Sequence, residues 1–487
     1  MIFLKQASAI SFAFLIAAFS QSSTRELAAQ QRSQLADLIQ KEQYSQAAAA
    51  LKDGADVHAA QADGMTPLHW AVQNRNSHWI ESLLSAGANP NATNRYEVPA
   101  LWIACCAGDV DAARQLLRAG ANPKLGLRGG ETMLMTAART GSPELLSVLI
   151  EHGAEVNATE VSGQTAIMWA AAEGNTAAVH KLLELNADPR ITLPSGFNAF
   201  FFAARQGKIE TVLRLLEEGF DINESMRVKR KASKGPAQGT TALLLAIENG
   251  HFELAIELLD QGADPNVIST GYAPLHAITW VRKPIRGDGD PPPDITGKVS
   301  SLALVRELLK RGADVNIRHK KQSTRHSGLS RTDATPCILA AESGDLPLLK
   351  LLVEFGADIH LVNQDHVTPL LAATGIGVLS DGDESAGTEE DAIQTVEYLL
   401  SLGAQINDID DQGKTVMHGA AFKSWPSLIR KLHHWGASKN VWNQANEDGW
   451  TPLMIAQGNR PGNFRPSQVT IEAIEKILMM DQVPPEL

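Results

Sequence analysis

The chain repeats itself with a fixed period, and few folds tolerate that. Gly-Ala followed by an acid or amide, then an apolar residue or Pro, starts at Gly54, Gly87, Gly120 and Gly153. Degenerate copies at Asn186 and Gly219 keep the interval at 33 residues. The series runs on at Gly262, Gly312, Gly356, Gly403 and Gly436 with longer gaps, and the last interval is again 33. A second motif keeps step: Thr66-Pro-Leu-His69 is its clearest copy, with variants at Thr165, Ala273, Thr335, Thr368 and Thr451. A third is a Leu-Leu pair before each Gly, as at Leu83-Leu84, Leu116-Leu117, Leu182-Leu183, Leu258-Leu259, Leu308-Leu309 and Leu399-Leu400. A length of 487 residues would otherwise suggest several globular domains. A period of this size specifies a stack of like units instead.

Each piece has a mechanical reading. Thr is a good N-cap and Pro is preorganised for the first helical position, so Thr-Pro starts a helix. Leu and the Ala residues after it lie on the buried face, and Ala lets the next unit approach closely. Gly108, Gly141, Gly174, Gly207 and Gly250 end that helix with a left-handed cap. A second helix carries the Leu-Leu pair and ends at the Gly of Gly-Ala-Asp. The Asp-x-Asn segment then turns the chain outward before the next Thr-Pro.

Helix, turn, helix and outward hairpin in 33 residues resembles the ankyrin-repeat family. The expected fold class is an all-α repeat solenoid of about 11–12 ankyrin units over residues 33–480. Residues 33–53 are expected to keep the second-helix pattern of a degenerate first unit but to lack its Thr-Pro-Leu-His, and 467–480 to supply a final helix, both as caps with polar outer faces. Residues 481–487 form a tail. The resemblance implies a non-catalytic binding module with a protein partner, no cofactor and no metal, acting as a monomer. It places the binding face on hairpin tips and first helices. Arg95, Tyr96, Arg128, Arg139, Glu173, Arg205, Gln206, Glu248 and Asn249 occupy free positions there. Arg95, Tyr96, Arg128, Arg139 and Arg205 are the candidate anchors, because Arg and Tyr are enriched where binding energy concentrates.

The longer intervals place four insertions, at 224–239, 282–298, 317–334 and 375–391. Gly219 to Thr241 spans 22 residues where 12 is usual, and Gly312 to Thr335 spans 23. The first surplus holds Arg227, Lys229, Arg230, Lys231 and Lys234 with no acid between them; the second holds Arg318, Lys320, Lys321, Arg325 and Arg331, with His319 and His326. Removing those ten basic side chains from the net charge of −12 leaves the rest at −22. The sequence thus describes an acidic body with two basic fingers. The fingers, through Arg227, Lys229, Arg230, Lys231, Lys320, Lys321 and Arg325, are candidates for a polyanion such as an acidic glycan, lipid or nucleic acid. Extending a surface loop costs little, so soluble spacers are the alternative. The other two insertions fall between paired helices. One contains Arg286-Gly-Asp288, read as accidental; the other holds Asp381-Gly-Asp383-Glu384 and Glu389-Glu390-Asp391, which lack the order of a calcium loop.

Residues 1–5 carry one Lys, residues 7–19 are apolar apart from two serines, and small and polar residues follow. This reads as a secretory signal peptide over 1–20, followed by a linker over 21–32, with an uncleaved anchor as the alternative. The expectation is an exported protein, periplasmic or secreted, similar to exported bacterial ankyrin-repeat proteins. Cys105, Cys106 and Cys337 are the only cysteines and form no CxxC, which removes zinc-ribbon and redox-motif readings. Cys105 and Cys337 fill slots for small hydrophobes. Trp70, Trp169 and Phe202 share one slot of the first helix and are read as core. His69, His276 and His418 occupy the last position of the Thr-Pro-Leu-His motif, and the resemblance makes them structural. The sequons at Asn91, Asn157 and Asn223 are read as by-products of the repeat's own turn.

Overall fold

The computed structural model describes residues 34–229, 236–283, 293, 295, 297–320, 329–376, 387–459 and 465–480. The leader at 1–20, the linker, the Arg-Gly-Asp tripeptide and the tail lie outside them, as do Arg230, Lys231, Lys321 and Arg325. Among the described residues twelve helix pairs follow one another, with one short extra helix at Lys439–Trp442. Among the described residues there is no strand, only isolated bridges such as Thr93 to Pro99 and Ser225 to Thr241 at the hairpin bases. The fold is an all-α repeat solenoid. The chain divides into two compact units, one of residues up to 193 with 198–203 and 210–215, the other of 194–197, 204–209 and everything from 216 onward.

In the first unit the pair Pro67–Gln73 and Ser77–Ser85 shows how sequence becomes structure. Thr66 is extended at the N-cap and accepts from the His69 backbone N–H, with Pro67 at the first helical position. Asn76 caps the second helix in the same way through the Trp79 N–H. The second helix closes with the Gly87 N–H on Leu84 O and the Ala88 N–H on Leu83 O, the double bond of a left-handed glycine cap. Leu83, the first leucine of the pair, is fully buried, while Leu84 is half-buried. Ala71, Ala104, Ala137, Ala170 and Ala203 are fully buried at one period, small side chains that let successive first helices pack closely.

The first pair is Gln34–Gln40 and Tyr44–Lys52. Both helices are present, although no Thr-Pro starts the first. Leu35, Ala36 and Ile39 are buried, and their helix packs on Pro67–Gln73 of the next repeat.

Two expectations about insertions are corrected. Glu389, Glu390 and Asp391 are the first turn of the helix Glu389–Ser401, so the insertion ends at the N-cap Thr388. Three acids there oppose the positive end of the helix dipole. Glu389 Oε1 also accepts from the Ser427 and Leu428 N–H groups at 2.6 and 2.9 Å, satisfying the start of the next unit's second helix. Arg282 is the last residue of the helix Pro274–Arg282 and is no loop residue. Its guanidinium meets Asp345 through Nε at 2.7 Å and Nη2 at 2.9 Å. These side chains are 15% and 1% exposed. Lys283 continues the anchor, donating to Gly344 O at 3.0 Å and facing Asp391 at 3.6 Å.

Candidate functional site

The Asp-x-Asn turns are tied together rather than merely pointing outward. Asn91 Nδ2 donates to Gly120 O at 2.9 Å, and Asn91 Oδ1 accepts from the Asn122 N–H at 2.7 Å. Asn157 reaches Asn186 O and the Asp188 N–H in the same way. In the second unit Asn266 and Asn316 repeat the bridge to Gly312 and Gly356. Each carboxamide therefore spends its donor and acceptor on the next unit. Asn91 and Asn157 thus have their sequon amides engaged, and Asn223 Oδ1 accepts from the Asp264 N–H at 2.8 Å.

The hairpin tips are joined by a second ladder. The Arg95 N–H donates to Asp63 O, and the Val161 N–H donates to Gly129 O. In the second unit the Lys229 N–H donates to Pro194 O, and the Lys320 N–H donates to Gly271 O. Lys229 and Lys320 lie in the two basic insertions, so the bases of those fingers keep the tip geometry of an ordinary unit. With their backbones committed, the tip side chains are left to solvent.

In the first unit those side chains are Arg95, Tyr96, Arg128 and Val161. Tyr96 is 65% exposed and Val161 81%. The Arg95 guanidinium lies 5.2 Å from the Tyr96 ring centroid and donates to its hydroxyl at 3.2 Å. Arg128 is exposed one unit along, in the position equivalent to Arg95. Behind the tips, Arg139 sits over the Trp169 ring at 5.5 Å and faces Glu131 at 3.9 Å. Trp70 and Trp169 are half-buried, and so is Phe202. The expectation that these three rings are core is corrected: each is only partly covered. Trp70 Nε1 donates to Gln61 Oε1 at 2.7 Å, which fixes its plane.

In the second unit Arg205 is exposed and lies 5.5 Å over Phe197. The spacing of eight that links Phe197 to Arg205 also links Glu131 to Arg139, Tyr272 to Trp280 and Lys414 to Phe422. It joins the base of a hairpin to the last turn of its own first helix. The sequence reading missed it because the partners change chemical type from unit to unit. Glu248 and Asn249, expected to be free, are engaged. Tyr272 Oη donates to Glu248 Oε1 at 2.6 Å, and Asn249 Nδ2 donates to Leu245 O at 2.8 Å. Burial holds the Glu248 carboxyl above the usual carboxylate range.

The basic fingers are unequal in what they offer. Arg227 and Lys229 are exposed. In the second finger Arg318 Nη1 donates to Asp333 O at 2.8 Å and also to Val362 O. Lys320 faces Asp333 at 3.4 Å and Arg331 faces Glu342 at 3.6 Å. His319, counted with the surface charges, is 3% exposed and belongs to the interior.

The motif histidines are structural. The Thr66 N–H donates to His69 Nδ1 at 3.2 Å, so Nδ1 carries no proton and Nε2 donates to Val98 O at 3.0 Å. His276 and His418 do the same with Ala273 and Ala334, and with Thr415 and Trp450. Burial drives all three below the ordinary imidazole value, His276 to about 3 and His418 to about 4. Cys105 and Cys337 are fully buried, and burial pushes the Cys337 thiol up to about 12. Among the described residues no group of three or more His, Cys, Asp or Glu side chains could hold a metal ion. Nor is any described helix long and apolar enough to cross a membrane.

A stack of capped helix pairs joined by amide and tip ladders defines an ankyrin-repeat protein. Family models agree: three-copy ankyrin repeats match residues 35–127, 101–193 and 167–269, and a single ankyrin repeat matches 332–364. Together they cover more than half of the chain, which belongs to the ankyrin-repeat family. Relatives include a putative ankyrin repeat protein, FPV031, of fowlpox virus, 29% identical over 33% of this chain and 42% of that protein. The mouse B-cell lymphoma 3 protein homolog is 33% identical over 28% of this chain and 24% of its own length. The chain thus spans less than half of the length of these relatives. Among solved structures, the ankyrin repeat domain of human ASB11 is similar at 24% identity over 51% of this chain and 99% of that chain, with a TM-score of 0.40. Ankyrin repeats generally mediate protein–protein interaction.

Proposed function

We propose that this chain is an exported, non-catalytic scaffold that captures a protein partner on the hairpin tips and inner helices of its first unit. The observation that carries the reading is Tyr96, 65% exposed and held by Arg95, with the equivalent Arg128 of the next repeat also exposed. A rigid aromatic and a guanidinium presented together lose little entropy on binding, which is how a few residues come to dominate an interface. The non-catalytic reading rests on the histidines, whose ring nitrogens at His69, His276 and His418 are spent on backbone groups. Export rests on the apolar leader of residues 7–19.

A second reading, polyanion binding, is favoured by the exposed Arg227 and Lys229 of the first finger. Residues 21–487 are immobilised and offered a periplasmic or secreted protein fraction at low and high salt. Retention of a protein at high salt, and its loss from Y96A and R95A columns, supports the scaffold. Capture at low salt only, abolished when Arg227 and Lys229 become Ser and untouched by Y96A, replaces it with the polyanion reading, because phosphate contacts are steeply salt-dependent.

A further inference from the structure

We propose that the partner segment taken by the first unit is a polyproline-II stretch with two acids three residues apart and an apolar residue three further along. This deepens the scaffold reading and rests on it. Ala62, Arg95, Arg128 and Val161 hold one position of four successive hairpin tips, 33 residues apart. All four are exposed, Val161 by 81%. The tip ladder keeps them in register. The Arg95 N–H reaches Asp63 O, one residue past Ala62, and the Val161 N–H reaches Gly129 O, one residue past Arg128. The four side chains therefore make a column that reads small, basic, basic, apolar.

Neither guanidinium of the column meets a carboxylate among the described residues. Arg95 is held by Tyr96, with the hydroxyl at 3.2 Å and the ring centroid at 5.2 Å. Arg128 is exposed beside the equally exposed Gly129. Acids of the neighbouring tips are spent on backbone. Asp63 Oδ1 accepts from the Met65 N–H at 3.0 Å, and Glu160 accepts from the Ser162 and Gln164 N–H groups at 2.8 and 2.9 Å. Away from the tips the basic side chains Arg114 and Lys124 do have partners, Glu144 at 2.8 Å and Glu155 at 2.7 Å. The tip column is thus where this unit presents fixed cations for a foreign carboxylate.

Spacing selects the conformation of that segment. Successive repeats stack at the separation of packed helices, about 8–10 Å. A polyproline-II helix has three residues per turn and rises about 3.1 Å per residue, so every third side chain shares a face at roughly 9 Å intervals. Such a segment sets one carboxylate on Arg95, the next on Arg128 and its apolar residue on Val161. A β-strand fits worse on two counts. Its side chains alternate with a period of two, so residues three apart face opposite ways. Strand addition also needs free backbone groups, and the ladder has already used those of Arg95 and Val161. A nucleic-acid strand carries a charge about every 3.4 Å and brings phosphates against the exposed Glu97 and the apolar Val161.

Fluorescence anisotropy of labelled peptides on the whole chain tests this. The probes are Glu-Pro-Pro-Glu-Pro-Pro-Leu and its reverse, because the segment can run either way, and controls of each with the glutamates only two residues apart. The better of the two orders is expected to bind roughly threefold to fivefold tighter than its control, the factor for one solvent-exposed ion pair. Arg95→Ser and Arg128→Ser should each erase that preference, while Arg227→Ser with Lys229→Ser leaves it unchanged. Val161→Ser should weaken the Leu peptides and not versions carrying Ala there. Equal binding of both spacings by the unaltered chain overturns the proposal, as does a preference that survives Arg95→Ser and Arg128→Ser. A thymidine oligonucleotide that outbinds every peptide, and loses that affinity in the two Arg variants, gives the column to nucleic acid instead. Loss of the protein from the Y96A column without any spacing preference keeps the scaffold reading and overturns only this assignment of its partner. Retention of the protein on the Y96A column sinks the scaffold reading itself.

Discussion

At Gly64 and Gly87 the backbone is equally left-handed, with φ of +85° and +90°, yet the two surroundings differ. A Cβ at Gly87 meets nothing within 4 Å, whereas one at Gly64 would lie 2.7 Å from the Arg95 backbone nitrogen. Gly87→Ala is expected to cost only the conformational penalty, on the order of 1 kcal/mol. Gly64→Ala must also push two tips apart and break the Arg95 N–H bond to Asp63, costing roughly 2–3 kcal/mol. Urea midpoints of the two variants compare them; equal shifts would mean that the tip ladder contributes nothing. The motif histidines add a pH dependence. His276 and His418 titrate natively at about 3 and about 4 against an ordinary 6.5. The unfolded chain therefore binds more protons through that window. Stability is full above 6.5 and declines on acidification by about 1.4 kcal/mol per pH unit for each ring. Urea midpoints that stay level from pH 7.5 to 5 would contradict this.

At the scale of the helix pair, the long insertion after Pro274–Arg282 loosens the covalent link between the two helices of its unit. The Arg282–Asp345 pair is the counterweight. Asp345 is also the N-cap of Leu346–Glu354, accepting from the Leu348 N–H at 3.2 Å, so one carboxylate joins a cap to a neighbour's last turn. Removing one partner leaves a desolvated charge. Arg282→Ala is therefore expected to destabilise by about 3–5 kcal/mol. Arg282→Met with Asp345→Asn, which removes both charges while keeping an amide to cap the helix, should recover much of that loss. Calorimetry or urea unfolding decides it; a double variant no better than the single one would show that the cost lies in packing instead.

For the whole molecule, a solenoid couples each unit only to its neighbours, so stability need not be lost in one step. Trp70, Trp79, Trp102 and Trp169 report on the first unit, while Trp280, Trp425, Trp435, Trp442 and Trp450 report on the second. Arg282→Ala is expected to move the fluorescence transition of the second set. Chains in which only the first four tryptophans are kept should unfold at nearly the unaltered midpoint. Identical shifts in both sets would show that the chain unfolds as one cooperative body.

The period, the helix starts at Thr66, Thr335, Thr368 and Thr451, and the buried alanines were legible because they are local. A cap, a left-handed glycine and a 33-residue interval need only the chain a few residues away and its own repetition. The interaction candidates were legible as positions, and the structure finds Arg95, Tyr96, Arg128, Arg139, Arg205, Arg227, Lys229 and Lys320 exposed there. What could not be read is which polar groups are already spent. Glu248 on Tyr272, Arg318 on two carbonyls and Arg282 on Asp345 join residues at spacings that no other repeat shares. Hydrogen bonds and ion pairs act over about 3 Å in space and leave no period behind. The sequence alone thus determined that the chain stacks and where each unit begins. Only the tertiary structure decided which charged and aromatic side chains remain free to meet a partner.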